Sequence, residues 1–302
     1  MASQTKSYDI IILGNYTKDT VITPAGTRHL DGGGFNYGAH AARMLGLHVA
    51  AVTRLAKEDE RVVEKLKTIG VDTFPFYTPA STNMVLEYPT ANPDDRTLRC
   101  TVTAGSFTPD QFTNLEAKAF LMNGSIRGEI PFEVVQALRA KDALLVADLQ
   151  GFIRIIAPDK SLIHAPWPEK EQYLRLLDVL KTDAVEAESL TGEPDIKKAA
   201  VTLAGMGPKE VVLTHKNGIL VFAKDKLYEA PWRAKSLIGR SGRGDTCIAS
   251  YMAKRLAHPP AVAIVWSAAV TSLKMEAEGP FKRPAEDVEE FIRKEYGGVN
   301  LN

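Results

Sequence analysis

Cysteine is almost absent. The 302-residue chain has two, Cys100 and Cys247, without metal-ligand spacing, which excludes a disulfide scaffold and fits a reducing compartment. Net charge is absent as well: thirty-seven basic side chains balance thirty-seven acidic ones, so nothing draws the whole molecule to nucleic acid or an anionic membrane. There is no long apolar run. Met1–Ser7 is polar and Ile10–Leu13 is far too short for a signal or membrane-spanning segment, so a soluble, cytoplasmic protein is expected. The nucleotide P-loop string Gly-x-x-x-x-Gly-Lys-Ser/Thr is missing. The dinucleotide fingerprint is incomplete, because Tyr37 stands where Gly32-Gly33-Gly34 would need its next glycine. No internal repeat or low-complexity tract occurs.

What remains is a chain with 45% hydrophobic residues, enough for a full core in one domain over residues 1–302. Ile10–Leu13 closed by Gly14 reads as a strand buried on both faces. Helix signals follow at Asn36–Leu45, Lys57–Ile69, Pro131–Ala140, Pro168–Leu180 and Asp195–Met206. Strand signals lie at His48–Leu55, Val71–Phe76, Ala119–Met122, Ala143–Asp148, Ala184-Val185 and Glu210–Thr214. Their alternation predicts a mostly parallel sheet covered on both faces. Asn217-Gly218 predicts a hairpin turn, and Thr246–Arg255 and Ala261–Leu273 read as closing helices. Residues 15–30 and 79–103 break the pattern. Their alternating apolar residues predict antiparallel strands that either pair into a small lid or form solvent-facing loops, and Ala91–Asp95 is a strong turn signal.

The sharpest local feature is Gly239-Arg240-Ser241-Gly242-Arg243-Gly244-Asp245-Thr246. Glycines opening a helix let backbone N–H groups approach an anion where the helix dipole also favours negative charge. A carboxylate in such a first turn is either an N-cap or, beside a phosphate cradle, a base for a hydroxyl acceptor. At Gly32-Gly33-Gly34-Phe35-Asn36 a ligand can lie against backbone, and Asn36 offers both a donor and an acceptor. Asp19 lies just past the first strand, where α/β sheets place ligand groups. His40, Trp167 and Trp232 have no motif partner and are read as packing residues.

The order of these motifs resembles the PfkB, or ribokinase, family of carbohydrate kinases across nearly the whole chain. The resemblance rests on Asp19, Gly33-Gly34-x-Asn36, Asp183-x-x-Glu186 with Leu190-Thr191-Gly192, Thr214 to Gly218, and Gly242-x-Gly244-Asp245. Within that family the chain looks most like the inositol kinases, through Asp148–Arg154, Glu186–Gly192, Gly239–Cys247 and Ala269–Met275.

The resemblance implies a ribokinase-like three-layer α/β/α sandwich with a small β-sheet lid, and transfer of the ATP γ-phosphate to a cyclic polyol or sugar, with myo-inositol favoured. It makes Asp245 the general base and Gly242, Arg243, Gly244 and Asp245 the anion hole. Asp19, Gly33, Gly34 and Asn36 would bind acceptor hydroxyls. Asp148, Asp183, Glu186, Thr214, Gly218 and Arg240 fall to the ATP side, with Glu186 helping to hold Mg2+ through water. Asp183 stands where the family usually has Asn. Gly239-Arg240 stands where many relatives have an Asp-Thr pair that helps bind a monovalent cation, so a potassium site does not carry over. Arg240 and Arg243 are instead read as phosphate-facing charges, with solvated surface charges as the alternative. A kinase for another sugar or a nucleoside is the alternative acceptor reading. A catalytically silent sugar or nucleotide sensor is the alternative from another class. Neither a nucleic-acid nor a membrane partner is expected, and the chain is read as a monomer or a lid-mediated homodimer.

Overall fold

The computed structural model describes residues 6–90 and 96–297. Strand β1 (Lys6–Leu13) leads to β2 (Thr17–Thr23) and β3 (Gly26–Asp31), then α1 (Gly34–Met44), β4 (Val49–Ala56), α2 (Arg61–Thr68) and β5 (Asp72–Thr78). Next come β6 (Thr82–Glu87), β7 (Thr97–Val102), β8 (Leu115–Met122), α3 (Phe132–Arg139), β9 (Leu144–Asp148), α4 (Gln150–Ile153), β10 (Arg154–Ile156) and β11 (Leu162–His164). The remainder runs α5 (Lys170–Leu174), β12 (Val179–Asp183), α6 (Ala184–Thr191), α7 (Ile196–Gly205), β13 (Glu210–His215), β14 (Gly218–Ala223), β15 (Lys226–Pro231), α8 (Arg243–Arg255), α9 (Pro260–Met275) and α10 (Ala285–Glu295).

Nine strands form the main sheet in the order β15-β14-β13-β12-β9-β8-β1-β4-β5. All its pairings are parallel except those of β14 and β15. Side chains alternate across a strand, so a strand buried on both faces must be apolar at every position. Ile10 and Ile12 accordingly pack with α1, α2, α8 and α9, and Ile11 and Leu13 pack in the opposite layer with α3, α4, α6 and α7. Helix α10 closes over α9 through Val288, Phe291 and Ile292. The result is the expected three-layer α/β/α sandwich. The order reverses at β1, whose neighbours are β4 on one side and β8 on the other. Loops diverge at such a switch point and leave a crevice at the carboxyl ends of the strands.

A second sheet, ordered β3-β2-β6-β7, falls within the two stretches that break the sequence pattern. Its hairpins are antiparallel as expected, but β2 and β6 run parallel. Val21, Met84, Leu86, Cys100 and Ile126 form its own small apolar cluster. The turn signal at 91–95 lies outside the described residues.

Three local expectations are corrected. Ala184-Val185 is not a strand but the first turn of α6, because Asp183 and Glu186 cap each other reciprocally and start a helix there. The strand is Val179–Asp183. The helix expected over Pro168–Leu180 is confined to Lys170–Leu174, since Val179 and Leu180 are drawn into the sheet beside β9 and β13. The β13–β14 turn is Lys216-Asn217, closed by the pair His215 and Gly218, so Gly218 belongs to the strand. The left-handed residues of a tight hairpin occur one turn later, at Lys224 (φ 51°) and Asp225 (φ 58°). Trp167 stacks on Phe152 with ring centres 5.1 Å apart, and the Trp232 indole donates to the His215 carbonyl at 2.9 Å. Among the described residues, no helix is long and apolar enough to cross a membrane.

Candidate active site

The carboxyl ends of β8, β9, β12 and β13, the start of α8 and one face of the small sheet enclose a cleft of about 520 Å³. The glycine run before α1 forms one wall. A Cβ on Gly32 would clash with the Thr17 hydroxyl and the Asp19 carboxylate, and one on Gly33 would lie 2.6 Å from the Asn15 carbonyl. Gly33 has φ 93°, a conformation few side chains tolerate. A Cβ on Gly34 would lie 2.6 Å from the Asn123 carboxamide nitrogen. These residues must be glycine for the start of α1 to sit this close to β2 and to the end of β8.

The turn before α8 is built the same way. Gly242 is the N-cap at φ 74° and no side chain caps the helix. Asp245 is therefore free of the capping role its position suggests. A Cβ on Gly242 would clash with the Tyr37 ring, and one on Gly244 would lie 2.7 Å from the Lys181 ammonium. Arg243 N–H donates to the Arg240 carbonyl at 3.2 Å and Thr246 N–H to that of Gly242 at 3.0 Å. Gly244 and Asp245, between them, line the cleft.

Lys181, which the sequence reading did not single out, is the electrostatic centre. It is 4% exposed and its Nζ lies 3.0 Å from one Asp148 oxygen and 3.2 Å from the other. Burial alone would strip its proton, but Asp148, Glu186 and Asp183 keep it charged and raise its pKa. Burial pushes the carboxyls of Asp148 and Glu186 up, opposed in each case by Lys181. Asp245 is also raised by burial, against the pull of Lys181, Arg154 and Lys274. Asp19 is pushed up to about 7, chiefly by burial and further by Asp245 and Asp31, while Thr17 bonds to it and opposes the rise. The Arg243 guanidinium is lowered by burial and by its neighbour Arg240.

Of the residues the sequence suggested, Asp19, Gly33, Gly34, Asp148, Asp183, Glu186, Thr214, Arg240, Gly242, Arg243, Gly244 and Asp245 all line this cleft. Two stand apart. The Asn36 amide turns back to the Asp31 carbonyl at 3.1 Å, and Tyr37 takes the wall position instead. Gly218 is paired with β15 in the main sheet, with Pro231 Cα 3.0 Å from where its Cβ would be. The sequence reading did not place Lys181, Arg96, Tyr37, Ser125 or Gln150 in the cleft. A lysine inside the apolar run Val179-Leu180-Lys181-Thr182 was the available signal for Lys181. The lid contributes Met84, Leu86, Tyr88 and Leu98. All four belong to the alternating apolar residues that mark the insertion in the sequence.

Residues 7–282 match the description pfkB family carbohydrate kinase. No curated protein matches the chain. Among solved structures, it is similar to a pyrophosphate-dependent kinase of the ribokinase family complexed with a pyrophosphate analog and myo-inositol. That pair shares 33% identity and a TM-score of 0.86 over 93% of this chain and 99% of the other. A second is a pyrophosphate-dependent myo-inositol-1 kinase converted into a myo-inositol-3 kinase by replacing an asparagine and a serine with leucines. It shows 32% identity and a TM-score of 0.86 over 95% of this chain and 99% of that one. Arabidopsis thaliana ribokinase, complexed with ribose and ATP, shares the fold at 17% identity and a TM-score of 0.76 over 95% and 99% of the two chains.

An ionised carboxylate accepts hydroxyl hydrogen bonds at both oxygens, whereas a protonated one gives up an acceptor. With Asp19 pushed up to about 7 by burial, and with the acceptor role that the resemblance implies for it, KM for a polyol acceptor is expected to rise as pH falls below that value. Asp19→Asn should show a high KM without that dependence. An initial-rate series across pH measures both, and a wild-type KM flat through this range would overturn the expectation that Asp19 binds the acceptor.

Proposed function

The chain belongs to the PfkB family of carbohydrate kinases, and from that membership we propose that it phosphorylates myo-inositol. The observation that carries this reading is one cleft combining Asp245 at a glycine-built helix start with Asp19 and the glycine wall, and with Lys181, Arg154, Arg240 and Arg243. A polyol hydroxyl placed beside Asp245 loses its proton to that carboxylate as its oxygen attacks the terminal phosphorus in line, while the bond from that phosphorus to the donor's bridging oxygen breaks and the rest of the donor leaves with that oxygen. Burial raises the carboxyl's proton affinity, which suits a group that must accept a proton. Amides of the Gly242–Asp245 turn and the guanidinium of Arg243 meet the charge on the phosphoryl oxygens, and Lys181 balances the surrounding carboxylates. Closure of the small sheet over the acceptor would exclude water from the reaction.

Magnesium fits here only as a donor-borne ion. Among the described residues no three His, Cys, Asp or Glu side chains form a cage, whereas magnesium commonly takes one or two carboxylates, waters and substrate phosphates. Glu186 and Asp183 would hold it, and when bound it screens the phosphate charge.

ATP is the donor expected from sequence, and Thr214 in the cleft supports it. Inorganic pyrophosphate is favoured by two features. Gly218, matched to the nucleotide turn, is a strand residue paired edge to edge with Pro231 of β15, with Trp232 bonded across that turn. The cleft, in contrast, offers Arg96, Arg154, Lys181, Arg240 and Arg243 to a compact anion. Two relatives at 32–33% identity are pyrophosphate-dependent.

The lid leucines bear on the product. Leu86 and Leu98 face each other across β6 and β7 and both line the cleft. The relative changed from 1-kinase to 3-kinase received two leucines. The 1- and 3-hydroxyls of myo-inositol are mirror-related, so an asymmetric apolar wall selects between them by turning the ring, and the leucine wall favours the 3-phosphate.

Three outcomes are expected. Purified protein should form inositol phosphate with pyrophosphate more efficiently than with ATP; product formed only with ATP would reverse the donor assignment, and none with either donor would sink the inositol reading. Asp245→Asn should lower kcat by roughly a hundredfold to ten-thousandfold while still binding acceptor in calorimetry; an unchanged kcat would remove the base. Chiral chromatography should show the 3-phosphate from the wild type and a shift toward the 1-phosphate from the double variant Leu86→Asn/Leu98→Ser. A wild type making the 1-phosphate would refute the role of the leucine wall.

A further inference from the structure

Lys274, in the last turn of α9, is 2% exposed. Its Nζ donates to the Gly239 carbonyl at 2.6 Å and lies 5.3 Å from the centre of the Tyr37 ring. Among the described residues it forms no ion pair with a carboxylate within 4.0 Å, although Asp245 and Glu278 are near enough to favour its charged form. Burying an ammonium without a paired carboxylate is costly, so its position calls for an explanation beyond packing. Its partners supply one. Gly239 begins the turn that ends at Asp245, and its N–H is held by the Met275 carbonyl at 2.9 Å. Adjacent residues of α9 thus grip both polar groups of Gly239. A Cβ there would clash with the Ala277 backbone, so no bulkier residue could take this grip. Because the peptide unit is planar and trans, a Gly239 carbonyl aimed at Lys274 turns the Arg240 N–H away from it. The Tyr37 ring that faces Lys274 also packs against Gly242, so Gly239 and Gly242 both rest on one cluster.

We propose that Lys274 is a built-in cation that fixes the Gly239–Asp245 turn for phosphate binding by holding the Gly239 carbonyl. Burial lowers its pKa to about 8, opposed by Asp245 and Glu278, which leaves it mostly charged at neutral pH. Lys274 is a positioning residue: it touches the turn and not the reacting atoms. The proposal rests on reading the cleft as a phosphoryl-transfer site.

The test compares wild type, Lys274→Met and Lys274→Ala in tetramethylammonium buffer with and without potassium or ethylammonium. Wild-type turnover should be insensitive to these ions. Lys274→Met, close in volume and uncharged, should keep the wild-type melting temperature yet lose about a hundredfold in kcat, the scale of a misplaced catalytic group. Its amides at 240–244 should exchange hydrogen about tenfold faster, with no change elsewhere. Lys274→Ala should regain turnover with potassium or ethylammonium. Potassium dependence of the wild type, a Met variant at the wild-type rate, or an Ala variant that no cation restores would each overturn the proposal. Hydrogen exchange separates the two readings: if no donor gives turnover, the kinase reading fails, while an unchanged exchange pattern in Lys274→Met refutes the role of Lys274 on its own.

Discussion

The buried pair of Lys181 and Asp148 is the interaction on which the site depends. Five carboxylates line the cleft, Asp19, Asp148, Asp183, Glu186 and Asp245, and concentrating them without compensation would protonate several or open the fold. Lys181 reaches from the middle of β12 to Asp148 at the end of β9, a neighbouring strand, and its charge is felt at Glu186 and Asp245. The grip also decides where the glycines fall. A Cβ on Gly244 would lie 2.7 Å from the ammonium, so a side chain there would displace Lys181, and the start of α8 lies close over the charge.

That arrangement exists only because the sheet is parallel and switches direction at β1. Parallel strands send every carboxyl end to the same edge. Residues from Thr17 to Asp245 therefore meet in one crevice, although they are separated by most of the chain. The small sheet adds what the strand ends lack, an apolar cover of Met84, Leu86 and Leu98. Polar machinery and apolar cover come from different parts of the fold, so donor chemistry and acceptor selection can vary separately.

Much of this was legible in the sequence because its signals are local. A continuous apolar run marks a strand buried on both faces, as at Ile10–Leu13, and glycines before a helix mark a place where backbone approaches something closely, as at Gly33 and Gly242. The failures have local causes too. Ala184-Val185 reads as strand by composition, but the cap formed by Asp183 and Glu186 starts a helix. Leu180 reads as helix by periodicity, but sheet pairing claims it. Asn36 has the chemistry of a ligand group, yet a nearer partner, the Asp31 carbonyl, takes its amide.

By itself the sequence determined the alternation of strands and helices and the glycine positions, which follow from side-chain size, polarity and spacing along the chain, whereas the carboxylate expected to act as base followed from the resemblance to the family. Only the tertiary structure decided which charges meet. Lys181 carries no motif, Lys274 lies in a stretch that marks the family likeness without giving it a role, and both gain their meaning from partners 33 and 35 residues away. Asp245 ceases to be an N-cap once Gly242 takes that place. Leu86 and Leu98 become a wall through the register of two strands. Electrostatic energy and steric exclusion depend on distance in space, and distance in space is what a list of residues does not contain.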